Sequence, residues 1–134
     1  MNILNSKMFL LIDSFSDHDI KEFKKLITSN FFSNGRKYKG LINLILKIKK
    51  KKMKEYTSDQ FYSDLFPDKK FSVQTLDNRM SELFKLAEEY LIIKTLRENK
   101  AERNKILLLA FYNQKSSRFF EKQYSRTKKL ITTE

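Results

Sequence analysis

The chain has no cysteine, no tryptophan, one proline, two glycines and one histidine. Without cysteine it forms no disulfide, no thiolate metal site and no thiol nucleophile. One histidine is too few for a zinc site of the usual kind. A sheet protein built on tight turns needs more glycine and proline than this. Their scarcity favours long helices joined by short polar links. Nothing approaches the roughly 18 apolar residues of a membrane-spanning helix. The apolar run at residues 8–12, behind the single Lys7, is too short for a secretory signal. The expectation is a cytoplasmic chain with no transmembrane segment.

What is present suits one helical domain over residues 1–134. Of these residues 40% are hydrophobic, with twelve Phe and six Tyr, enough to bury a core without staples. The net charge is +12, carried by 22 Lys and 6 Arg. Lys, Asn, Ile, Phe and Tyr, which AT-rich codons favour, make 60 of the 134 residues, so the total alone does not speak for binding. The placement of charge says more. Residues 1–34 are balanced, 35–56 carry nine basic and one acidic side chain, 57–91 are net −3, and 92–134 are net +7.

Periodicity predicts an all-α protein, a compact bundle of about six to seven helices. The first covers about residues 5–14. Ser16 is the N-cap of the second, with Asp17 and Asp19 in the first turn, where carboxylates suit the helix dipole. That helix buries Ile20, Phe23 and Ile27; Phe31 and Phe32 follow, then a loop at Ser33, Asn34 and Gly35. A third helix is expected over about residues 36–54, with Leu41, Ile42, Ile45 and Ile48 on one face. Thr57 and Gln60 fit a capping box for a short helix that Pro67 stops. Ser72 caps the longest helix, whose stripe is Val73, Leu76, Met80, Leu83, Ala87 and Tyr90. Two more helices are expected near residues 101–112 and 118–131.

No catalytic constellation is legible. His18 sits in the first turn after the Ser16 cap, where the dipole disfavours positive charge and a surface role is expected. Asp17, Asp19, Asp59 and Asp64 lie near helix starts, which capping explains. Glu88 and Glu89 are adjacent on a helix and diverge by about 100°. Gly35 and Gly40 stand alone and make no phosphate loop. The expectation is a protein that is not an enzyme and holds no cofactor and no metal.

Two stretches resemble known families. Residues 56–91 resemble the helix-turn-helix part of the winged-helix domain of response-regulator-type transcription factors. The matching residues are Thr57, Leu65, Phe66, Thr75, Leu76, Asp77, Met80, Ser81, Leu83, Lys85 and Leu86. Most are core positions, so the resemblance implies a tri-helical centre. The outer face of the long helix (Gln74, Asn78, Ser81, Glu82, Lys85, Glu89) is net −1, and no glycine turn for a wing follows Tyr90. A recognition helix must approach phosphates, so DNA readout is not expected there. More widely, Phe15, Phe23, Phe31, Phe32, Leu65, Phe66, Pro67, Leu83 and Leu91 resemble the N-terminal region of an uncharacterised bacterial family of helical proteins. That resemblance implies the front end of a longer architecture, with an apolar face uncovered near the C-terminus.

Two cationic stripes are the candidate anion or nucleic-acid contacts. On the third expected helix, Arg36, Asn43, Lys47, Lys50 and Lys54 fall within about 60° of one another, flanked by Lys39 and Lys51. On the last, Arg118, Lys122, Arg126 and Lys129 lie opposite Phe120, Tyr124 and Ile131. A solvated face explains such stripes as simply as a ligand does. The leading reading is a non-catalytic helical binding module, a protein–protein adaptor or scaffold. The alternative is a weakly sequence-specific nucleic-acid-binding protein using the lysine-rich face, since lysine offers no bidentate geometry. An anionic membrane surface stands behind both.

Overall fold

Ser16 starts the best-defined helix of the N-terminal part. Its hydroxyl accepts the Asp19 N–H at 3.0 Å, and Asp19 Oδ2 accepts the Ser16 N–H at 3.0 Å, a complete capping box. At Thr57, where the sequence suggests a box with Gln60, the hydroxyl accepts the Gln60 N–H at 3.2 Å. Ser72 caps the longest helix through the Thr75 N–H, also at 3.2 Å.

A computed structural model describes the backbone of residues 2–133 and the side chains of residues 2–130. Helix makes up 77% of it, and no strand occurs among the described residues. A 3-10 turn, Ile3–Asn5, precedes α1 (Lys7–Ile12), α2 (Asp17–Thr28), α3 (Asn30–Ser33), α4 (Lys39–Lys50), α5 (Ser58–Leu65), α6 (Val73–Glu98), α7 (Lys100–Asn113) and α8 (Ser117–Thr133). The helix not anticipated is the single turn α3, which leaves Phe31 85% exposed. Residues 91–94, where a winged-helix domain would begin its wing, continue α6 as helix. The chain gathers into two compact units, Met1–Tyr90 and Leu91–Glu134.

In the first unit α4 packs on α2 and α5. Its core includes Phe9, Phe23, Ile27, Ile42, Ile45, Phe61, Leu83 and Ala87, all nearly or fully buried, with Met80 9% exposed. Edge-on rings lock it: Phe9 meets Phe61 at 5.9 Å, and Phe15 meets Phe23 at 5.7 Å. The backbone N–H of Ile3 donates to the Tyr56 carbonyl at 2.8 Å, which ties the N-terminus to the segment after α4.

The expected third helix is shorter at both ends. Asn34 and Gly35 turn with positive φ (54° and 78°), and α4 begins only at Lys39, after the buried Tyr38. At the other end Lys52 takes a left-handed φ of 52°. Lysines 49–52 are consecutive, so further turns would stack like charges three and four residues apart.

The second unit holds the end of α6 and the α7–α8 hairpin. Asn99 caps α7 by accepting the Glu102 N–H at 3.0 Å. Lys115, with a φ of 56°, turns the chain into α8. Among the described residues of the hairpin the most buried are polar: Gln123 is 1% exposed and Thr127 5%. Gln123 Nε2 donates to Asn104 Oδ1 on α7 at 2.5 Å and to Thr127 Oγ1 at 3.2 Å. Gln123 Oε1 is buried without a hydrogen-bond partner.

Candidate functional site

The ten cationic candidates separate into one group in each unit. In the first unit only Lys39, Lys47 and Lys50 lie within α4; Lys51 is its C-cap. Arg36 precedes the helix and gives its guanidinium to Glu82 Oε1 on α6 at 2.5 Å. Tyr38 Oη donates to the other oxygen of the same carboxylate at 3.0 Å. Burial, then the Glu82 carboxylate, pushes the Tyr38 hydroxyl above the ordinary tyrosine value. Lys54 lies in the loop beyond α4, its carbonyl accepting the Asn2 side-chain N–H at 3.4 Å. The stripe expected across residues 36–54 therefore does not form one continuous row. Arg36 is spent on an ion pair, and the helix stops before Lys54.

What remains is a lysine cluster at the C-terminal end of α4. Lys47, Lys50 and Lys51 are exposed there, where the helix dipole welcomes cations. Lys49 is turned inward, donating to the Phe9 carbonyl at 3.0 Å and pairing with Asp13. A cavity of about 550 Å³ opens beside the cluster, lined by Lys47 and Lys51 and by Leu44, Ile48, Met53, Tyr56, Gln60 and Asp64.

In the second unit the four cations of the stripe share one helix. Arg118, Lys122, Arg126 and Lys129 all lie on α8 and are all exposed. Phe120 opposite them is half-buried, whereas Tyr124 is 52% exposed. The side chain of Ile131 lies outside the described residues. Phe119 stands beside the stripe, 51% exposed, with one face stacked on Phe111 at 5.6 Å.

Periodicity gave α7 only as a helix near residues 101–112 and named none of its residues for a site. None of its residues is buried, although it carries the run Ile106, Leu107, Leu108, Leu109, Ala110, Phe111 and Tyr112. Ile106, Leu107, Leu109 and Tyr112 are between 41% and 67% exposed. A cavity of about 460 Å³ runs along one side of the helix, lined by Leu96, Lys100, Arg103, Asn104, Ile106, Leu107 and Ala110. The signal was in the sequence: this run is apolar all round the helix, with no polar face to give to water. A helix of that pattern is buried on more than one side, and α8 supplies only one.

His18 is exposed, and no group of three or more His, Asp or Glu among the described residues could hold a metal ion. No helix among them is long and apolar enough to cross a membrane. Neither a protein-family model, nor a curated protein, nor a solved structure matches the chain.

Proposed function

We propose that this chain is a non-catalytic helical binding module, a protein–protein adaptor or scaffold that docks its partner on the α7–α8 hairpin. One observation carries the reading: a Leu-rich helix of 14 residues with none of them buried. Contiguous exposed apolar surface of this kind marks interaction sites. Leaving Ile106, Leu107 and Leu109 in water forgoes about 25 cal/mol for every Å² that a partner would cover. The test is affinity capture with the wild-type chain and an Ile106→Asp/Leu107→Asp variant, with and without nuclease. A protein retained after nuclease and lost with the double variant supports the reading. Retention that is unchanged in the variant overturns it.

A second reading rests on α8. Exposed Phe119 lies beside the row Arg118, Lys122 and Arg126, and an aromatic face among cations is what single-stranded nucleic acid stacks on. Capture that disappears with nuclease, and with Arg118→Glu/Lys122→Glu/Arg126→Glu, favours that reading over the first.

A further inference from the structure

Building on the hairpin as a protein-docking surface, we infer that the groove along α7 takes an acidic amphipathic helix of the partner. The groove has an apolar floor of Leu96, Ile106, Leu107 and Ala110, with Lys100 and Arg103 beside it. Arg103, Ile106, Leu107 and Ala110 are spaced by three and four residues, so they share one face of α7. That is the face on which a second helix packs its ridges. Ala110 is small, and a bulky apolar side chain of an incoming helix fits above it as a knob fits a hole.

Charge selects the partner's flanks. Glu102, the acidic residue in the first turn of α7, is taken by Lys105 at 3.3 Å. Among the described residues neither Lys100 nor Arg103 has a carboxylate partner. A helix with Asp or Glu bordering its apolar face would pair with both, fixing orientation and register. A second copy of this chain is the wrong occupant. Residues 92–134 carry eleven basic and four acidic side chains, so hairpin on hairpin sets like charge against like. A bilayer offers a flat surface and leaves a concave floor unfilled.

The test uses two labelled synthetic helices of about 18 residues, roughly five turns. Both carry leucines at i, i+3, i+4 and i+7; one has Glu at the flanking positions and the other Lys. Fluorescence anisotropy measures binding to the wild-type chain and to Lys100→Glu/Arg103→Glu. Both substituted side chains are exposed and near the start of α7, where negative charge is tolerated, and circular dichroism checks that helicity is retained. The Glu peptide is expected to bind wild type saturably and the Lys peptide not to. The double variant should weaken the Glu peptide by roughly tenfold or more and accept the Lys peptide instead. Equal binding of both peptides, no binding of either, or binding unchanged in the double variant overturns the inference. So does wild-type dimerisation abolished by Leu107→Asp, or uptake by phosphatidylserine vesicles that the Glu peptide does not compete. A protein captured through Ile106 and Leu107 alongside a silent Glu peptide sinks the acidic helix and leaves the adaptor reading standing.

Discussion

The Tyr90 hydroxyl on α6 donates to Asp19 Oδ1 on α2 at 2.6 Å, while Oδ2 of the same carboxylate accepts the Ser16 N–H that begins α2. The bond lies 71 residues apart in sequence and is buried, and the Tyr90 ring packs on Phe15 and Phe23 at 5.5 and 6.0 Å. Tyr90→Phe keeps the ring and removes a donor from a carboxylate that stays 5% exposed. The expected cost is about 1–3 kcal/mol, read as a lower urea midpoint with an unchanged m value. An unchanged midpoint would mean that the hydroxyl contributes nothing to holding α6 on α2.

Leu83 and Leu107 are a matched pair, one on α6 and one on α7. Leu83 is 0% exposed and Leu107 41%. Leu83→Ala should destabilise by about 2–5 kcal/mol, from lost burial and the cavity left behind. Leu107→Ala should stay within about 0.5 kcal/mol, as surface changes do. Equal costs in chemical denaturation would show that α7 is covered in solution.

Tyr38 sets a pH dependence at the alkaline end. Its hydroxyl is held above the ordinary tyrosine value of about 10 by burial and by Glu82. The folded state thus keeps this proton where the unfolded chain loses it. The stability so conferred is whole below about pH 10 and is lost as pH rises through the raised folded value. Tyr38→Phe should flatten that part of the decline relative to wild type in thermal melts across pH 9–11. Parallel curves for the two proteins would refute the assignment.

Any duplex DNA binding should draw its salt dependence from α8 and not from α4. Arg118, Lys122 and Arg126 follow one another, exposed, along α8, whereas Arg36 is paired with Glu82 and Lys54 lies outside α4. Each phosphate contact contributes about 0.9 to the slope of log K against log salt. Arg118→Glu/Lys122→Glu/Arg126→Glu should therefore flatten the slope by more than Lys47→Glu/Lys50→Glu/Lys54→Glu does. The opposite ranking in a titration at several salt concentrations would return the lysines of α4 to first place.

Local chemistry made much of this fold legible from residue order alone. The caps at Ser16, Thr57 and Ser72, the stop at Pro67 and the stripe from Val73 to Tyr90, of which only Val73 is exposed, act within a turn or two of chain. Their signals survive without any knowledge of tertiary contacts. The basic row on α8 was legible for the same reason, since residues 118, 122, 126 and 129 share a face of any helix they occupy. The row on α4 was not, because Arg36 found Glu82, 46 residues away, and because four consecutive lysines ended the helix early. Periodicity did mark the covered stripes of α2, α4 and α6, but it did not show that the apolar side chains of α7 would stay uncovered. Leu83 and Leu107 are the same residue on helices of the same chain. Burial depends on what stands opposite: spacing alone marked Phe23 and Leu83 as core, and only the packed structure showed the outer side of α7 bare.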